Sequence, residues 1–458
     1  MRIALVHLGM DDSYGMYFVA GELKKSDVNF EWFDGDSDEV IAKIIDYSPN
    51  FMFFGPLTLY FSRALDISKG VKKLNKKVVA VFGGHHVSVD HAAINREEVD
   101  IIVDGPIYNT IEKIFISKGN EIIHGTPVLP EKMRPSRVEC YNTISRLANR
   151  HQKTIMSFMG CPFNCSYCST GHVRSKVGAK TYKEYWLKRR PLKDVIREAK
   201  ELIPFPTKEI SLADDDILAG PDAAEWLKEF SCIWKKEIDL PIIAYVTPSS
   251  ISRASDEVLK ILGELLHTAL IGVQVARSDS LKLFNRTWQT EKTLVKASEN
   301  LTKAGLQVRV DIMIGLPVDD PIEEGVETIK LIQRVFPKCN VSTGPLMIYP
   351  GTDIFNWCKE NKIPLNENIN LDFHKGLGSI KFDLEVQKQL TNLKKMSSMF
   401  VEYGIEDHWM RALIRMDMNN GSSLDISKCC YYDSIKKRHQ DMQWDDFNKI
   451  VEGMEFQH

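Results

Sequence analysis

The sequence predicts an α/β protein with two regions of alternating strands and helices, followed by a mainly helical region. In residues 1–125 and 151–354, short segments rich in β-branched or aromatic residues alternate with segments whose apolar residues lie three and four positions apart. This alternation is typical of parallel sheets covered by helices. Residues 126–150 contain prolines but no periodicity and are predicted to be a linker, whereas residues 355–458 are predicted to be mainly helical.

The loops that follow the strands of the first region are candidate binding segments. Ligands of parallel α/β sheets bind at the carboxyl ends of the strands, and a glycine in each loop lets the backbone approach a large ligand closely. The predicted strands are Ile3–His7, Val28–Phe33, Phe51–Phe54, Val78–Phe82 and Ile101–Val103, the helices include Glu39–Tyr47 and Ser62–Leu74, and the loops are Gly9–Gly15, Gly55–Tyr60, Gly83–Ser88 and Asp104–Asn109.

The second region predicts a partial barrel of the TIM type, (β/α)6, with an active site at the carboxyl ends of its strands. Six predicted strands alternate with five predicted helices. The strands are Lys153–Ser157, Glu209–Ala213, Pro241–Val246, Ala269–Val275, Gln307–Ile314 and Val341–Ile348, and the helices are Leu192–Leu202, Asp222–Trp234, Asp256–Leu266, Glu291–Ala304 and Ile322–Phe336.

Composition and charge exclude several classes of protein. The 458 residues carry 59 basic and 62 acidic side chains, without the basic excess that is usual in nucleic-acid-binding proteins. The most apolar stretch, residues 51–61, is too short for a membrane span, which needs about 20 apolar residues, and the N-terminal segment lacks the features of a signal peptide. We therefore expect a cytoplasmic protein with no membrane span and no nucleic-acid partner.

Three of the nine cysteines, Cys161, Cys165 and Cys168, follow the first barrel strand with the spacing C-x3-C-x2-C. An odd number of cysteines in a long chain without a signal peptide argues against a disulfide framework. Three thiolates this close could hold an iron–sulfur cluster that keeps one iron without a protein ligand. A zinc site completed by His172, a pair of redox-active thiols and three metal-free cysteines are the alternatives.

The segment from Gly160 to Cys168, GCPFNCSYC, resembles the motif of radical S-adenosylmethionine (SAM) enzymes. The resemblance implies a [4Fe–4S] cluster whose open iron chelates SAM, and a reductant such as flavodoxin or ferredoxin that drives cleavage to a 5′-deoxyadenosyl radical. Segments 212–216, 272–274, 314–317 and 349–352 are similar to later strand ends of that family, and Leu283-Phe284-Asn285-Arg286 is similar to the helix after the fourth strand. Val275-Ala276-Arg277 replaces the usual Ser-Gly or Glu-Ser of the family. The candidate SAM contacts are Tyr167, Asp215, Gln274, Arg309, Ile314 and Gly315.

Polar residues in the strand Gln307–Ile314 are predicted to line the lumen of the barrel. Val308, Val310 and Ile312 alternate with Gln307, Arg309 and Asp311, and a period of two places the two sets on opposite faces. Because unpaired charges are costly inside a barrel, Arg309 and Asp311 either pair with each other or contact SAM or substrate. The candidate catalytic residues are Arg309, Asp311 and Tyr245.

Residues 1–125 resemble the flavodoxin-like, Rossmann-like cobalamin-binding domain that precedes the barrel in one radical SAM subgroup. The resemblance rests on Val81–Ser88, which is close to G-G-x-H-x-S, and on Val99–Gly105. The loop Gly9–Gly15 lacks the histidine of D-x-H-x-x-G. His85 and His86 could replace it, but a loop histidine more often contacts backbone; a cobalamin fold without its ligand is a further alternative. The candidate cobalamin contacts are Ser13, Tyr14, Gly15, Gly55, Thr58, Gly83, Gly84 and Gly105.

The resemblance implies a cobalamin-dependent methyltransferase that acts on an unactivated carbon, or on phosphorus, of a small-molecule substrate through the 5′-deoxyadenosyl radical and methylcobalamin. The alternatives are a radical SAM enzyme for a cyclisation, oxidation or rearrangement, and a non-catalytic carrier. Residues 174–193 hold eight Lys or Arg residues with interleaved aromatics, which predicts a solvated basic face, a docking surface for an acidic reductant or a cap for a substrate carboxylate. The vicinal Cys429 and Cys430 are interpreted as structural or incidental.

Overall fold

Two six-stranded parallel sheets, covered by helices, form the framework of the protein and confirm the predicted α/β class. The computed structural model describes residues 1–337, 339–366 and 378–416. The strands are β1 (Arg2–Val6), β2 (Asn29–Phe33), β3 (Phe51–Phe54), β4 (Val79–Phe82), β5 (Ile101–Asp104), β6 (Glu121–His124), β7 (Gln152–Ile155), β8 (Phe158–Met159), β9 (Lys188–Arg189), β10 (Glu209–Leu212), β11 (Ile242–Val246), β12 (Leu266–Gln274), β13 (Gln307–Ile314) and β14 (Asn340–Pro345).

The described helices cover the faces of both sheets and form the linker between them. They are α1 (Tyr14–Leu23), α2 (Ser37–Tyr47), α3 (Phe61–Leu74), α4 (His85–Val89), α5 (Ile111–Ile116), α6 (Val138–Thr143), α7 (Ser145–Ala148), α8 (Ser169–Val177), α9 (Ala179–Tyr185), α10 (Leu192–Leu202), α11 (Ala223–Glu237), α12 (Pro248–Ile251), α13 (Asp256–Leu265), α14 (Ser278–Leu283), α15 (Glu291–Lys303), α16 (Pro321–Val335), α17 (Asp353–Glu360), α18 (Leu384–Glu402) and α19 (Asp407–Arg415). In the described part of the chain, no helix is both long and apolar enough to cross a bilayer.

The first sheet has the strand order β2-β1-β3-β4-β5-β6, with every pair parallel. The first five strands follow the flavodoxin-like order, as expected. Its central strands are apolar along their whole length because helices cover both faces; all four residues of β3 are buried. The sequence analysis missed β6, whose ends, Glu121 and His124, are polar and exposed as in a loop.

The second sheet has the order β14-β13-β12-β11-β10-β7, again with every pair parallel, and confirms the predicted partial barrel. The short strands β8 and β9 form a separate antiparallel pair. Strand β14 ends at Pro345, three residues before the predicted end, since proline donates no hydrogen bond to a ladder. The sheet therefore curves without closing, and its carboxyl end carries the cysteine segment.

The segment 126–150, predicted as an irregular linker, contains α6 and α7. Their buried residues Tyr141, Ile144 and Leu147 belong to one continuous apolar cluster that includes residues of both sheets. The linker therefore forms part of the core between the two regions.

Helices α17, α18 and α19 follow the barrel, as the predicted helical character of the C-terminal region requires. Helix α18 begins where the Asp383 side chain accepts from the Val386 amide, and it packs on β14 and α16. Cys429 and Cys430 lie outside the described residues.

Candidate active site

The cysteine segment leaves the short strand β8 at the carboxyl end of the barrel, where the barrel topology predicts a site. Gly160 has φ +78°, and a Cβ there would lie 2.6 Å from the Tyr182 hydroxyl, so only glycine fits. The Tyr182 hydroxyl accepts from the Cys161 amide at 2.9 Å. The Cys168 amide donates to the Cys165 carbonyl at 3.0 Å, and Cys168 precedes the first residue of α8. These contacts fold the segment into a loop in which the charges of Cys165 and Cys168 act on the Cys161 thiol.

The three thiols share a surrounding that favours a bound cation. Burial raises the pKa of Cys161 to about 12 and also raises that of Cys168, and the charges of the other cysteines and of Asp215 add to both shifts. Three thiolates at this place therefore need compensating positive charge. The irons of a cluster supply that charge, so the donor set fits the [4Fe–4S] group.

Arg286 supplies one positive charge beside the thiols. This buried guanidinium donates through Nη1 to the Cys165 Sγ at 3.6 Å and to the Tyr167 hydroxyl at 3.1 Å. Its Nη2 donates to the Gly272 carbonyl at 2.6 Å and to Gln289 Oε1 at 2.7 Å. The sequence analysis noted Arg286 only within a family-like segment; a lone arginine in an apolar turn carries no periodic signal.

The zinc alternative requires His172 as a fourth ligand. The His172 Nδ1 donates to the Gly351 carbonyl at 2.6 Å, while its Nε2 is covered by protein without a partner. In residues 1–337, 339–366 and 378–416, no three His, Cys, Asp or Glu side chains form a group placed to hold a metal ion. One ring nitrogen of His172 is therefore committed to the turn after β14.

Asp215 is the carboxylate of the acidic segment that stays available for a ligand. Asp214 accepts from the Ser157 and Phe158 amides at 2.7 and 2.9 Å, and Asp216 accepts from the Thr247 hydroxyl at 2.8 Å. Asp215 reaches solvent and has no partner among the described residues. Partial desolvation, together with the charges of Asp214 and Asp216, raises its pKa to about 6. The charge of Asp215 also raises the pKa of Cys161 and Cys168, which shows that Asp215 lies near the cysteine loop.

The lumen residues of β11 and β13 form a hydrogen-bonded trio. Arg309 donates through Nε to Asp311 Oδ1 at 3.0 Å and through Nη2 to the Tyr245 hydroxyl at 3.0 Å, and that hydroxyl donates to Asp311 Oδ2 at 2.9 Å. Of the two alternatives, the structure thus shows the mutual pair. Arg309 is still 38% exposed, and its Nη1 has no partner in the described structure. The trio therefore offers one oriented donor to the lumen.

The remaining candidate SAM contacts lie at the ends of neighbouring strands. Gln274 ends β12 with φ +69°, where the register with β13 shifts. Ile314 is buried, and Gly315 follows it with φ +68° at a point where a Cβ would touch Phe382 and Leu390. These last two residues can meet a ligand only through their backbone.

The first sheet presents an edge of open backbone at the carboxyl ends of β4 and β5. Gly84 and Gly105 have φ +85° and +89°. A Cβ at Gly83 or Gly105 would meet nothing closer than 3.8 Å, and one at Gly15 nothing within 4 Å. Gly55 is different, because the Met16 sulfur would lie 2.9 Å from its Cβ. Apart from Gly55, the backbone of these glycines is therefore open to close approach by a ligand.

The other candidate contacts in this region have different surroundings. Thr58 is buried, and its hydroxyl lies 3.2 Å from His86 Nδ1. Ser13 precedes α1 without capping it through its side chain. Tyr14 donates through its hydroxyl to Glu198 Oε1 at 2.6 Å, so that the hydroxyl faces the barrel.

Charged contacts join the loop after β1 to the barrel. Arg190 donates to Glu198 Oε2 at 2.6 Å and to the Tyr14 hydroxyl at 3.0 Å, and Arg137 also pairs with Glu198. Burial by itself lowers the pKa of Arg137, but the charge of Glu198 beside it raises the pKa above its ordinary value. We call Tyr14, Arg137, Arg190 and Glu198 the interdomain clamp.

The carboxyl ends of the two sheets face each other. Lys176 on α8, just beyond the cysteine segment, pairs with Asp104 at the end of β5. A Cβ on Gly351, in the turn after β14, would lie 3.0 Å from Val89 Cβ at the end of α4. The thiol site and the open backbone edge are thus on the two sides of one interface.

Comparison with known proteins identifies the barrel. Residues 155–332 match the model of the radical SAM superfamily. They form a radical SAM domain. Proteins of this superfamily use SAM and a [4Fe–4S] cluster, which agrees with the three-thiol site.

Relatives by sequence extend beyond the radical SAM domain. An uncharacterized methyltransferase of Pyrococcus horikoshii is 24% identical over 72% of this chain and 73% of its own length. The bacteriochlorophyllide d C-8(2)-methyltransferase of Chlorobaculum tepidum is 23% identical over 71% of this chain and 72% of its own length. A tRNA-2-methylthio-N(6)-dimethylallyladenosine synthase of Pelagibacter ubique is 25% identical over 59% of both chains.

The fold is similar to that of TsrM from Kitasatospora setae, a radical S-adenosylmethionine methyltransferase. Its structure with tryptophan and a SAM analogue has a TM-score of 0.61, at 15% identity over 79% of this chain and 76% of TsrM. Its structure with cobalamin and a [4Fe–4S] cluster has a TM-score of 0.60, over 79% of this chain and 75% of TsrM. The two proteins share a fold over these parts of their chains.

The basic segment beside the radical SAM site is only partly a solvated face. Arg190 is 1% exposed within the interdomain clamp, Arg189 stacks on Trp226 at 4.5 Å, and Lys176 bridges to Asp104. Tyr182 holds the Cys161 backbone, as described above. The four exposed lysines that remain are Lys180, Lys183, Lys188 and Lys193.

Proposed function

We propose that this chain is a cobalamin-dependent radical SAM methyltransferase that acts on carbon, or on phosphorus, of a small-molecule substrate. One observation carries the proposal: the thiol site of the radical SAM domain faces the open backbone edge of a flavodoxin-order sheet. The cluster supplies the electron that cleaves SAM, and cobalamin supplies a carrier for the methyl group. The fold shared with TsrM and the two methyltransferase relatives support the same pairing of cofactors.

Cys161, Cys165 and Cys168 would hold the cluster. The Arg286 guanidinium donates to the Cys165 sulfur, and a positive hydrogen-bond donor at a cluster ligand favours the reduced cluster. Tyr182 fixes the backbone of Cys161. With three cysteine ligands, the cluster would keep one iron available to bind SAM.

Asp215 would orient SAM by accepting from its ammonium group. A carboxylate without a protein partner beside three thiols is suited to a cation, and a positive ligand lowers the pKa that its neighbours raise to about 6. Asp214 and Asp216 cannot take this part, since backbone amides and the Thr247 hydroxyl occupy them. The backbone of Gly315, directly after β13, would contact the adenine side of the same ligand.

The trio of Tyr245, Arg309 and Asp311 would orient the substrate in the lumen. Two of the three Arg309 nitrogens are bonded within the trio, which leaves Nη1 directed at a fixed angle. A donor that is already oriented loses less entropy when it binds an acceptor on a substrate. The exposed lysines of residues 180–193 would receive an acidic one-electron reductant such as flavodoxin or ferredoxin.

The test begins with protein purified without oxygen and offered hydroxocobalamin. We expect a [4Fe–4S] absorption band and one cobalamin per chain. On reduction with dithionite and SAM that carries a deuterated methyl group, we expect 5′-deoxyadenosine and a labelled methyl group on the extracted cobalamin.

The other outcomes contradict the proposal in distinct ways. A cluster without bound cobalamin would favour a non-methylating radical reaction, with the first sheet as a scaffold. Both cofactors without any cleavage of SAM would favour a carrier. With a substrate in hand, a product that gains no CH2 unit would exclude methylation.

A further inference from the structure

The histidines of residues 1–125 differ in whether their rings are available. His7 is buried, with contacts to the Asp11 carbonyl at 3.0 Å and to Arg146 at 3.0 Å. His91 and His124 both lie against the carboxylate of Asp104, at 3.2 and 3.0 Å. Each of these three rings is therefore engaged by a partner within the protein.

The neighbouring histidines His85 and His86 have opposite surroundings. His86 is buried, contacts Thr58 through Nδ1 at 3.2 Å, and packs on Phe61 with ring centroids 3.9 Å apart. His85 is exposed and has no hydrogen-bond or charged partner among the described residues. The expected contact between a loop histidine and backbone is absent at this position. His85 is thus the histidine of this region with a free imidazole.

His85 lies on the open backbone edge. It is the first residue of α4 and follows Gly83 and Gly84 at the carboxyl end of β4. The space above Gly83 is clear to 3.8 Å, and Gly84 packs only against the backbone of Gly55, at 3.6 Å from a Cβ. The last residue of the same helix, Val89, meets the radical SAM domain at Gly351. His85 therefore begins a five-residue helix whose other end meets the radical SAM domain.

The surroundings of His85 keep its imidazole neutral. The ring of His85 reaches solvent, but desolvation by the surrounding protein lowers its pKa below the ordinary value. A neutral imidazole has one nitrogen lone pair available, which is the form that binds a metal. The segment Gly9–Gly15, which corresponds to the loop where many cobalamin domains carry their histidine, contains none here, and the hydroxyl of Tyr14 within it is bonded to Glu198.

We propose that His85 is the axial ligand of the cobalt on the face of cobalamin that rests on the first sheet. This inference depends on the proposed function, because it requires bound cobalamin. A ring nitrogen of His85 donates its lone pair to cobalt, and the water or benzimidazole at that position leaves. The oxidation state of cobalt does not change, and no proton is released.

Paramagnetic resonance of bound cobalamin in its cobalt(II) state tests the ligand directly. The protein is labelled with nitrogen-15, and the cobalamin is not. An axial nitrogen of the protein splits each cobalt line into a doublet, an axial benzimidazole splits it into a triplet, and no axial nitrogen leaves it unsplit. We expect the doublet in the unsubstituted protein and its loss in His85→Ala, with cobalamin still bound in both.

His124→Ala is the matched control, since it removes another histidine at the edge of the same sheet. We expect it to keep the doublet. A triplet or unsplit lines in the unsubstituted protein would overturn the assignment to His85 while the proposed function stands, as would a doublet that persists in His85→Ala. Failure of the unsubstituted protein to bind cobalamin would instead refute the proposed cofactor itself, and with it this inference.

Discussion

In the two six-stranded sheets, the edges at the carboxyl ends of the strands face each other, and they present different groups to a ligand. The edge of the radical SAM domain presents reactive side chains: three thiols, the unpaired carboxylate of Asp215 and the guanidinium of Arg286. The edge of the first sheet presents glycine backbone and one free imidazole, while Tyr14 beside it is used in the interdomain clamp. Both sheets are parallel α/β sheets, so topology sets where a ligand lies and the loops set how it is held.

The largest expected effect is the loss of the cluster, which should leave cobalamin binding at the first sheet unchanged. Cys165→Ala removes one cluster ligand, and we expect loss of the iron–sulfur absorption band and of all reductive SAM cleavage. Binding of cobalamin to the first sheet should not change. Iron content, 5′-deoxyadenosine formation and cobalamin stoichiometry measure the three effects.

Cys232→Ala is the control for that variant, because Cys232 is an exposed cysteine on α11. It should keep the cluster and the cleavage activity. Full activity in Cys165→Ala would show that the three cysteines do not hold a catalytic cluster.

An intermediate effect concerns the clamp between the edges. Glu198→Gln keeps the size of a side chain that is 2% exposed but leaves Arg137 and Arg190 without their shared carboxylate. Breaking a buried ion pair in this way costs about 3–5 kcal/mol in the free energy of unfolding. We expect a matching fall in the denaturant midpoint.

Glu237→Gln provides the comparison, because it removes an exposed carboxylate that pairs with Lys200 at the surface. No measurable change is expected there. Equal midpoints for the two variants would mean that the clamp adds nothing to stability.

The smallest expected effect concerns Asp215, a carboxylate without a partner among the described residues, in contrast to the hydrogen-bonded carboxylates beside it. Burial and like charges raise the pKa of Asp215 from 3.8 to about 6. The folded chain therefore holds this proton more tightly than the unfolded chain, and stability falls as the pH rises from about 4 to 6. Asp215→Asn should remove that loss, with a gain of up to about 1 kcal/mol at pH 7, after allowance for solvent screening, and none below about pH 4.

The same variant should bind SAM about tenfold more weakly in cluster-loaded protein, because it loses a charge-assisted hydrogen bond. Melting curves at both pH values and equilibrium binding of SAM measure the two effects. Asp66→Asn, at an exposed position on α3, should change neither. Unchanged SAM affinity in Asp215→Asn would remove Asp215 from the site.

Local patterns were enough to predict much of the framework. The strand Gln307–Ile314 and the helix Leu192–Leu202 have the predicted bounds, since alternation and helical spacing are properties of consecutive residues. The cysteine spacing and the resemblance that it carries predicted the radical SAM domain that the family model matches over residues 155–332. Strand β6 was missed, because its exposed polar ends have the character of a loop.

Such local patterns could not predict contacts between residues that are distant in the sequence. Tyr14 bonds Glu198, which lies 184 positions away, and Tyr182 holds the cysteine loop from within a segment that composition marks as a basic surface. The charges of Arg309 and Asp311 predicted a polar lumen but not that Tyr245 would complete a trio with them. No periodicity records which side chains meet across a fold.

The sequence by itself determined the α/β class, the place of the barrel and the three thiols, because period and spacing act over a few neighbouring residues. Only the tertiary structure decided which polar groups are bonded within the protein and which stay available to a ligand. Asp214 and Asp216 are satisfied while Asp215 between them is open, and His86 is buried while His85 beside it is free. The physical reason is that the state of a polar group depends on its partners and its solvent, and both are set by residues far away in the chain.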